Sequence, residues 1–381
     1  MDKKQSIVQQ RRKSNFVLWD AGLGENPFPT PTILSDLLNT HSHQQKYTPL
    51  HGVENLEEQL KKQYTPTPST ILFGNGLKEL LFVAQMAFRG TIVHITPSTY
   101  YKQLACLGKT SSLIEIQTSF ESQWKATPKQ LEDAFKAAKG PSMLLFNNPN
   151  NPTSVVYTVQ EVEQLAQVCK KYNVLVLADE IYANLVEQYT SMARFMPCIR
   201  GSSISKDISA AGYRLGWLTF PTGSPTGSPK KYSDFHARCV QFAAILYSCP
   251  AAPIQYAFRD FLAISKAYKN TCTQMRHQFA NIVHYANSRL AESTQLKFIP
   301  TQAAWYLFLD FSAYTEKLTQ LHIQSSEDLS LSLLNEIGLI CVAGDAFRTI
   351  QPLCLRLSLV DIHKNSLQRG IERLIVWLHT V

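Results

Sequence analysis

"SSISKDISAAGYRLGW", residues 202–217, sets one lysine, Lys206, directly behind a Ser-x-Ser pair, with Gly212 and Arg214 following on its C-terminal side. A solvated lysine needs no such company. Two hydroxyls, Ser203 and Ser205, and the forked guanidinium of Arg214 form a donor set suited to a phosphate dianion. Burial and a nearby cation lower the pKa of an amine, and the neutral amine is the form that attacks a carbonyl carbon. On its own the stretch cannot decide whether it serves such a ligand. The other parts of such a site have to lie elsewhere in the chain.

Working outward, short apolar runs alternate with amphipathic segments from about residue 70. "TILF" (70–73), "TIVHI" (91–95), "SLIEI" (112–116), "SMLLF" (142–146), "NVLVLA" (173–178) and "GWLTF" (216–220) read as strands. "GLKELLFVAQMAF" (76–88) and "TVQEVEQLAQVCKKY" (158–172) read as helices; the second keeps Val159, Val162, Leu165, Ala166 and Cys169 on one face. Strands alternating with helices predict an α/β domain around a mostly parallel sheet with both faces covered.

Beyond "PTGSPTGSPKK" (221–231) the character changes. Tyr268, Cys272, Met275, Phe279, Ile282, Ala286 and Leu290 recur at three- and four-residue steps, a stripe long enough to bury against a domain seam. "AAWYLFLDF" (303–311) and "LCLRLSLV" (353–360) belong to a smaller α+β unit. The expected division is a large domain over 46–265 and a small one built from 1–45 plus 266–381.

Parallel sheets bind ligands at the carboxyl ends of their strands, so the polar residues just past each strand matter most. "GNGLKELLF" (74–82) is a glycine turn opening a helix, whose free N–H groups suit a phosphate. It misses the dinucleotide fingerprint, with Glu79 where a third glycine belongs. "NNPNNPTS" (147–154) aims asparagine amides into the crevice through two Asn-Pro steps, or is a plain turn. "DEIYANL" (179–185) sets Asp179 at a strand end with Tyr182 just after it; a lone acid there is either a helix cap or the partner of a protonated heterocyclic nitrogen. Arg356 sits inside the apolar "LRLSL" (355–359), where a guanidinium needs a carboxylate, either structural or on a substrate.

Motif by motif and in chain order, these stretches resemble the class I/II aminotransferase family of fold type I pyridoxal-phosphate enzymes, of the aspartate aminotransferase type. The resemblance runs from "LGENPFP" (23–29) and "YTPLHGVENLEEQLKKQY" (47–64) through the four motifs above and "AGDAF" (343–347) to "LRLSL". It implies pyridoxal 5'-phosphate as cofactor, with Lys206 as Schiff-base lysine and proton shuttle and Asp179 on the pyridine nitrogen. Asn151 and Tyr182 are implied at the ring oxygen. Ser203, Ser205, Arg214, Gly76 and the backbone of Leu77 and Lys78 are implied around the phosphate. Tyr47 matches a tyrosine that reaches the neighbouring subunit's cofactor phosphate, which implies a homodimer with shared sites. Arg356, Asn151 and the backbone around Gly24 are implied at the substrate carboxylate. The family's ring-stacking aromatic has Thr99 at its usual place, leaving Tyr100 or Tyr101 for that role. Ser154 stands where a glycine usually closes the Asn-Pro motif, and Ala303 and Ala304 where a glycine pair is common.

The expected activity is a ping-pong transfer of an amino group between an amino acid and a 2-oxo acid. Decarboxylases of amino-acid phosphates and carbon–sulfur lyases share the same motifs, because the bond that breaks is set by how the substrate is oriented. A ligand-sensing transcription regulator is disfavoured, since no helix-turn-helix fits before Tyr47. The 381 residues carry a formal charge of +8, but the basic residues are dispersed, so no nucleic-acid partner is expected. Eight scattered cysteines suit a reducing compartment, and neither a secretory signal nor a membrane span is evident, so a cytoplasmic protein is expected. His41 and His43 lack a third ligand nearby, so no metal is assigned.

Overall fold

The computed structural model describes Val8 and residues 17–64, 68–99, 111–223, 229–360 and 366–381. The chain opens with the short strand β1 (Trp19–Asp20) and then builds a seven-stranded sheet. Its strands are β2 (Ser69–Gly74), β3 (Gly90–Thr96), β4 (Ser111–Gln117), β5 (Ser142–Asn147), β6 (Leu175–Asp179), β7 (Ile199–Ser203) and β8 (Gly216–Pro221). Their spatial order is β2-β8-β7-β6-β5-β3-β4. β4, β3, β5, β6 and β7 run parallel, and β8 pairs antiparallel with both β7 and β2. Every residue of β6 is buried, which is why the central strands read as unbroken apolar runs rather than as alternating ones.

Helices cover both faces. Val159–Lys171 begins with a capping box between Thr158 and Glu161 and buries Val162, Leu165, Ala166 and Cys169 against one face of the sheet. Leu77–Ala87 buries Leu77, Leu80, Leu81 and Ala84 against the other. A second, three-stranded antiparallel sheet orders β11 (Val342–Ala343), β12 (Cys354–Ser358) and β9 (Tyr306–Asp310), while β10 (Leu339–Ile340) pairs with β1. The 27-residue helix Ala267–Ser293 links the two regions. Its Tyr268 and Cys272 belong to the core beside the large sheet, whereas Met275, Phe279, Ala286 and Leu290 belong to the core of the small one. Ile282, expected on the same stripe, is only partly buried. No helix among the described residues is long and apolar enough to cross a membrane.

Strand register decides what reaches the site. Asn147 is level with Asp179, Asp179 with Gly201, Ser203 with Gly216, and Gly216 with Gly74. The carboxyl ends of four strands and the start of β8 thus form one row, the crevice in which such sheets bind ligands. The N-terminal segment crosses above it. Ser358 donates its N–H to Ala21, and Asn26 donates to the main-chain oxygen of Lys206 at 2.8 Å.

Candidate active site

The crevice holds a cavity of about 490 Å³. Gly24, Leu77, Lys78, Asn151, Asp179, Tyr182, Ser203, Ser205, Lys206, Arg214 and Arg356, all singled out from sequence, line it. Gly76 is not among the lining residues; it caps the helix Leu77–Ala87, whose first residues are. Tyr47 does not line it and is 87% exposed. Thr99 does, donating to the main-chain oxygen of Asn151 at 3.1 Å; Tyr100 and Tyr101 lie outside the described residues.

One end of the cavity gathers groups that could hold an anion. Gly76 caps the helix Leu77–Ala87 at φ +87°, a conformation that favours glycine, and a side chain there would meet Arg214. Arg214 lies across this helix start, its two terminal nitrogens donating to the main-chain oxygens of Asn75 (2.8 Å) and Ala211 (2.9 Å). Gly216 backs directly onto it, since a Cβ there would come within 2.5 Å of the Leu77 nitrogen. Ser203, wholly buried, accepts from the Ser205 N–H at 3.2 Å. Main-chain donors, two hydroxyls and a guanidinium therefore converge on one spot.

Asp179 ends β6, buried, and accepts from the Ile181 N–H at 3.1 Å. Next to it, Asn151 is fixed through its own N–H, which donates to Asn147 Oδ1 at 2.8 Å. The Asn151 amide donates to the Tyr182 hydroxyl (3.4 Å) and accepts from Arg356 Nη1 (3.3 Å). Tyr182 and Tyr306 share a hydroxyl contact of 2.8 Å, and Tyr306 donates on to Gly24 O at 3.3 Å. Burial raises the Tyr182 phenol well above its ordinary value, reinforced by Tyr306 and Asp179, so the hydroxyl keeps its proton.

Lys206 Nζ donates to Gly24 O. Burial is the main force on this amine and pushes its pKa down to about 8. Glu25 opposes that shift, while Arg356, Lys78 and Arg214 add to it. Arg356, 5% exposed, donates to Gly22 O at 2.6 Å and stacks beside Tyr306 and Phe347. Its Nε has no partner, and no carboxylate pairs with it among the described residues.

Among the lining residues given no role from sequence are the polar or charged Glu25, Asn147 and Tyr306 and Gly22 of the N-terminal strap over the crevice. Tyr306 is hidden there inside an apolar run. Two of the three glycine replacements stand where glycine is favoured: Ser154 (φ +57°) and Ala304 (φ +55°) both hold left-handed backbone. His41 contacts Asp260 at 2.7 Å and stacks on Tyr256, away from the cavity.

Residues 22–374 match the sequence profile of a family described as aminotransferase class I and II. A probable aspartate/prephenate aminotransferase of Aquifex aeolicus is 26% identical, the match covering 93% of this chain and 89% of that protein. An alanine aminotransferase of Mycobacterium tuberculosis is also 26% identical, over 90% of this chain and 80% of its own. Among solved structures, an aspartate aminotransferase of Thermotoga maritima superposes with a TM-score of 0.83 at 23% identity, covering 99% of this chain and 96% of that one.

Proposed function

Given that the chain belongs to the class I and II aminotransferases, which depend on pyridoxal phosphate, we propose that it moves an amino group from an amino acid to a 2-oxo acid, the two binding in turn to one pocket. When bound, the cofactor supplies an electron sink conjugated to the substrate nitrogen. The residues present suit it. Lys206 would hold its aldehyde carbon, Asp179 would keep its ring nitrogen protonated, and Asn151 and Tyr182 would meet its ring oxygen. Ser203, Ser205, Arg214 and the helix start at Leu77 and Lys78 would take its phosphate.

The chain's own side chains then divide the work. Arg356 grips the substrate carboxylate, exchanging its hold on Gly22 O for a bidentate pair that also engages its unpartnered Nε. Asn151, bonded to both Arg356 and Tyr182, ties that grip to the ring end of the site. Lys206 moves the proton at the substrate α-carbon. A pKa of about 8 leaves its amine substantially neutral near pH 7.5, against roughly one part in a thousand for an ordinary lysine. The hydroxyl chain Tyr182–Tyr306–Gly24 O fixes the wall along which the substrate lies. Tyr47, exposed and outside its own chain's cavity, would serve the partner's phosphate in a homodimer.

Arg356 carries this reading, as a buried cation in the cavity whose missing counterion is the group every amino acid and 2-oxo acid shares. The names of the relatives, aspartate/prephenate and alanine aminotransferase, agree on the reaction but differ in the donor. The test begins with the absorbance spectrum of the purified protein before and after borohydride, with peptide mapping for a pyridoxyl adduct on Lys206. It continues with a panel of amino acids and product analysis. A 2-oxo acid as product supports transfer. Carbon dioxide or ammonia would redirect the assignment to a decarboxylase or a lyase, and a protein that takes up no pyridoxal phosphate would refute it.

A further inference from the structure

Resting on the cofactor reading above, we propose that Tyr306 is a positioning residue for Tyr182: it donates to the Tyr182 hydroxyl and so commits that hydroxyl's own proton to the ring oxygen of pyridoxal phosphate. The polarity follows from Arg356 outward. A guanidinium only donates, and Arg356 Nη1 reaches Asn151 Oδ1 at 3.3 Å. The other arm of that amide, Nδ2, therefore donates to the Tyr182 hydroxyl at 3.4 Å. A tyrosine hydroxyl carries one proton and can accept two. With Asn151 donating, the 2.8 Å contact with Tyr306 decides where the Tyr182 proton goes. If Tyr182 donates there, its proton is held by Tyr306. If it accepts, its proton is left to the cavity that both tyrosines line.

Tyr306 has a second acceptor in Gly24 O, at 3.3 Å. The Tyr182 contact is shorter and has the usual length of an O–H···O bond. A ring oxygen beside Tyr182 draws the chain the same way, because each hydroxyl then donates toward the negative charge. The rest of Tyr306 is held in place for this. It is 1% exposed and opens β9, and its N–H donates to Ser154 Oγ at 3.2 Å. The Thr301 hydroxyl donates to its main-chain oxygen at 2.6 Å. The Tyr182 and Tyr306 rings meet edge to face, with centroids 5.7 Å apart. Ser154, which stands where the family has a glycine, thus supplies one of the bonds that place Tyr306. Asp179 and Arg356 also act on the Tyr182 hydroxyl, in opposite senses, and both stay in every variant below.

The test reads the pH midpoint of the visible absorbance change of the pyridoxal-phosphate-loaded protein, in the wild type, Tyr306→Phe, Tyr182→Phe and the double variant. A hydrogen bond to the ring oxygen favours the deprotonated form, so a weaker donor raises the midpoint. Tyr306→Phe should raise it by about 0.2 to 0.5 pH unit, the share that one hydrogen bond adds to the next in a chain. Tyr182→Phe should raise it further. Once Tyr182 is gone, removing the Tyr306 hydroxyl should move it by less than about 0.1 pH unit. Fluorescence titration of the cofactor-free Tyr306→Phe protein should show pyridoxal phosphate binding about twofold weaker. A midpoint that falls or stays within about 0.1 pH unit in Tyr306→Phe overturns the proposal, because Tyr306 then accepts from Tyr182 or does not act on it. An equal rise with and without Tyr182 overturns it too, leaving Tyr306 a packing residue. The two readings fail separately. If Tyr182→Phe raises the midpoint and Tyr306→Phe does not, the placement of the cofactor stands and the proposal falls. If neither moves it, Tyr182 does not meet the ring oxygen and both fall. The midpoint needs no turnover, so release of carbon dioxide or ammonia in place of transfer would sink the reaction and keep the role of Tyr306.

Discussion

Replacing Asp207 with asparagine should change how the protein's stability depends on pH, by an amount that follows from its surroundings. Asp207 follows Lys206 in sequence and is fully buried. Its Oδ2 accepts from the Tyr268 hydroxyl (2.5 Å) and the Asn184 amide (2.8 Å), while Oδ1 has no partner among the described residues. Burial outweighs those bonds and raises the carboxyl to about 6. In the unfolded chain it titrates near ~4. Below that value both states are protonated and the group is neutral toward stability. As pH rises through the window, the unfolded chain loses its proton first, so the folded state loses ground. Above about 6 both are ionised and the whole penalty persists. Two units at about 1.4 kcal/mol each give a penalty of about 3 kcal/mol. Asparagine does not titrate, still accepts from Tyr268 and Asn184, and places a donor where Oδ1 stood. Urea unfolding of both proteins at the same cofactor concentration, from pH 4 to pH 7.5, isolates the effect as the difference between two curves. The variant should gain about 3 kcal/mol on the wild type across that range, most of it between the two pKa values. A difference that stays flat to within about 0.5 kcal/mol would show that Asp207 carries no buried charge, and the reasoning would fail.

Other outcomes are as definite. Arg356→Lys keeps the charge but loses the fork, so kcat/KM for the amino acid should fall about 10- to 100-fold, mostly through KM; an unchanged KM would remove Arg356 from the carboxylate. Gly216→Ala drives a Cβ to 2.5 Å from the Leu77 nitrogen and 2.7 Å from the Gly76 carbonyl carbon, pushing the helix start out of place. Fluorescence titration of the cofactor-free protein should show pyridoxal phosphate binding weakened at least about tenfold. Because the Lys206 amine titrates near about 8, capture of pyridoxal phosphate by the cofactor-free protein should accelerate with pH up to that point and level off above it. A rate still climbing through pH 10 would mean an ordinary, solvated lysine.

The sheet was legible because its central strands are buried on both faces and so leave uninterrupted apolar runs. One strand left no such trace. β7 reads "IRGSS", with a glycine and two serines, because Leu77 and Leu218 pack where a side chain of Gly201 would stand and Arg200 pairs with the buried Glu180. The reversal of β8 was hidden as well, since strand direction leaves no mark in composition. In the crevice, residues bound to strand ends and tight turns could be named from sequence, because local geometry dictates their identity. Tyr306 could not, because its meaning lies in a hydroxyl contact with Tyr182 across 124 positions of chain. Glu25 was visible as part of a motif, but what distinguishes it is the set of charges around it. That set exists only once the two sheets and the N-terminal segment have come together.

The strap over residues 22–25 has a consequence for substitution. The groups it offers to Arg356 and Lys206 are peptide oxygens, which no point substitution deletes. Leu23 and Glu25, which alternate with those glycines, turn exposed side chains toward the same cavity. The four positions thus divide between main-chain groups that hold the two cations and side chains that line the cavity. A substitution at residue 23 or 25 therefore relines the cavity while both peptide oxygens stay in place, and at residue 25 it also alters the charge felt by Lys206.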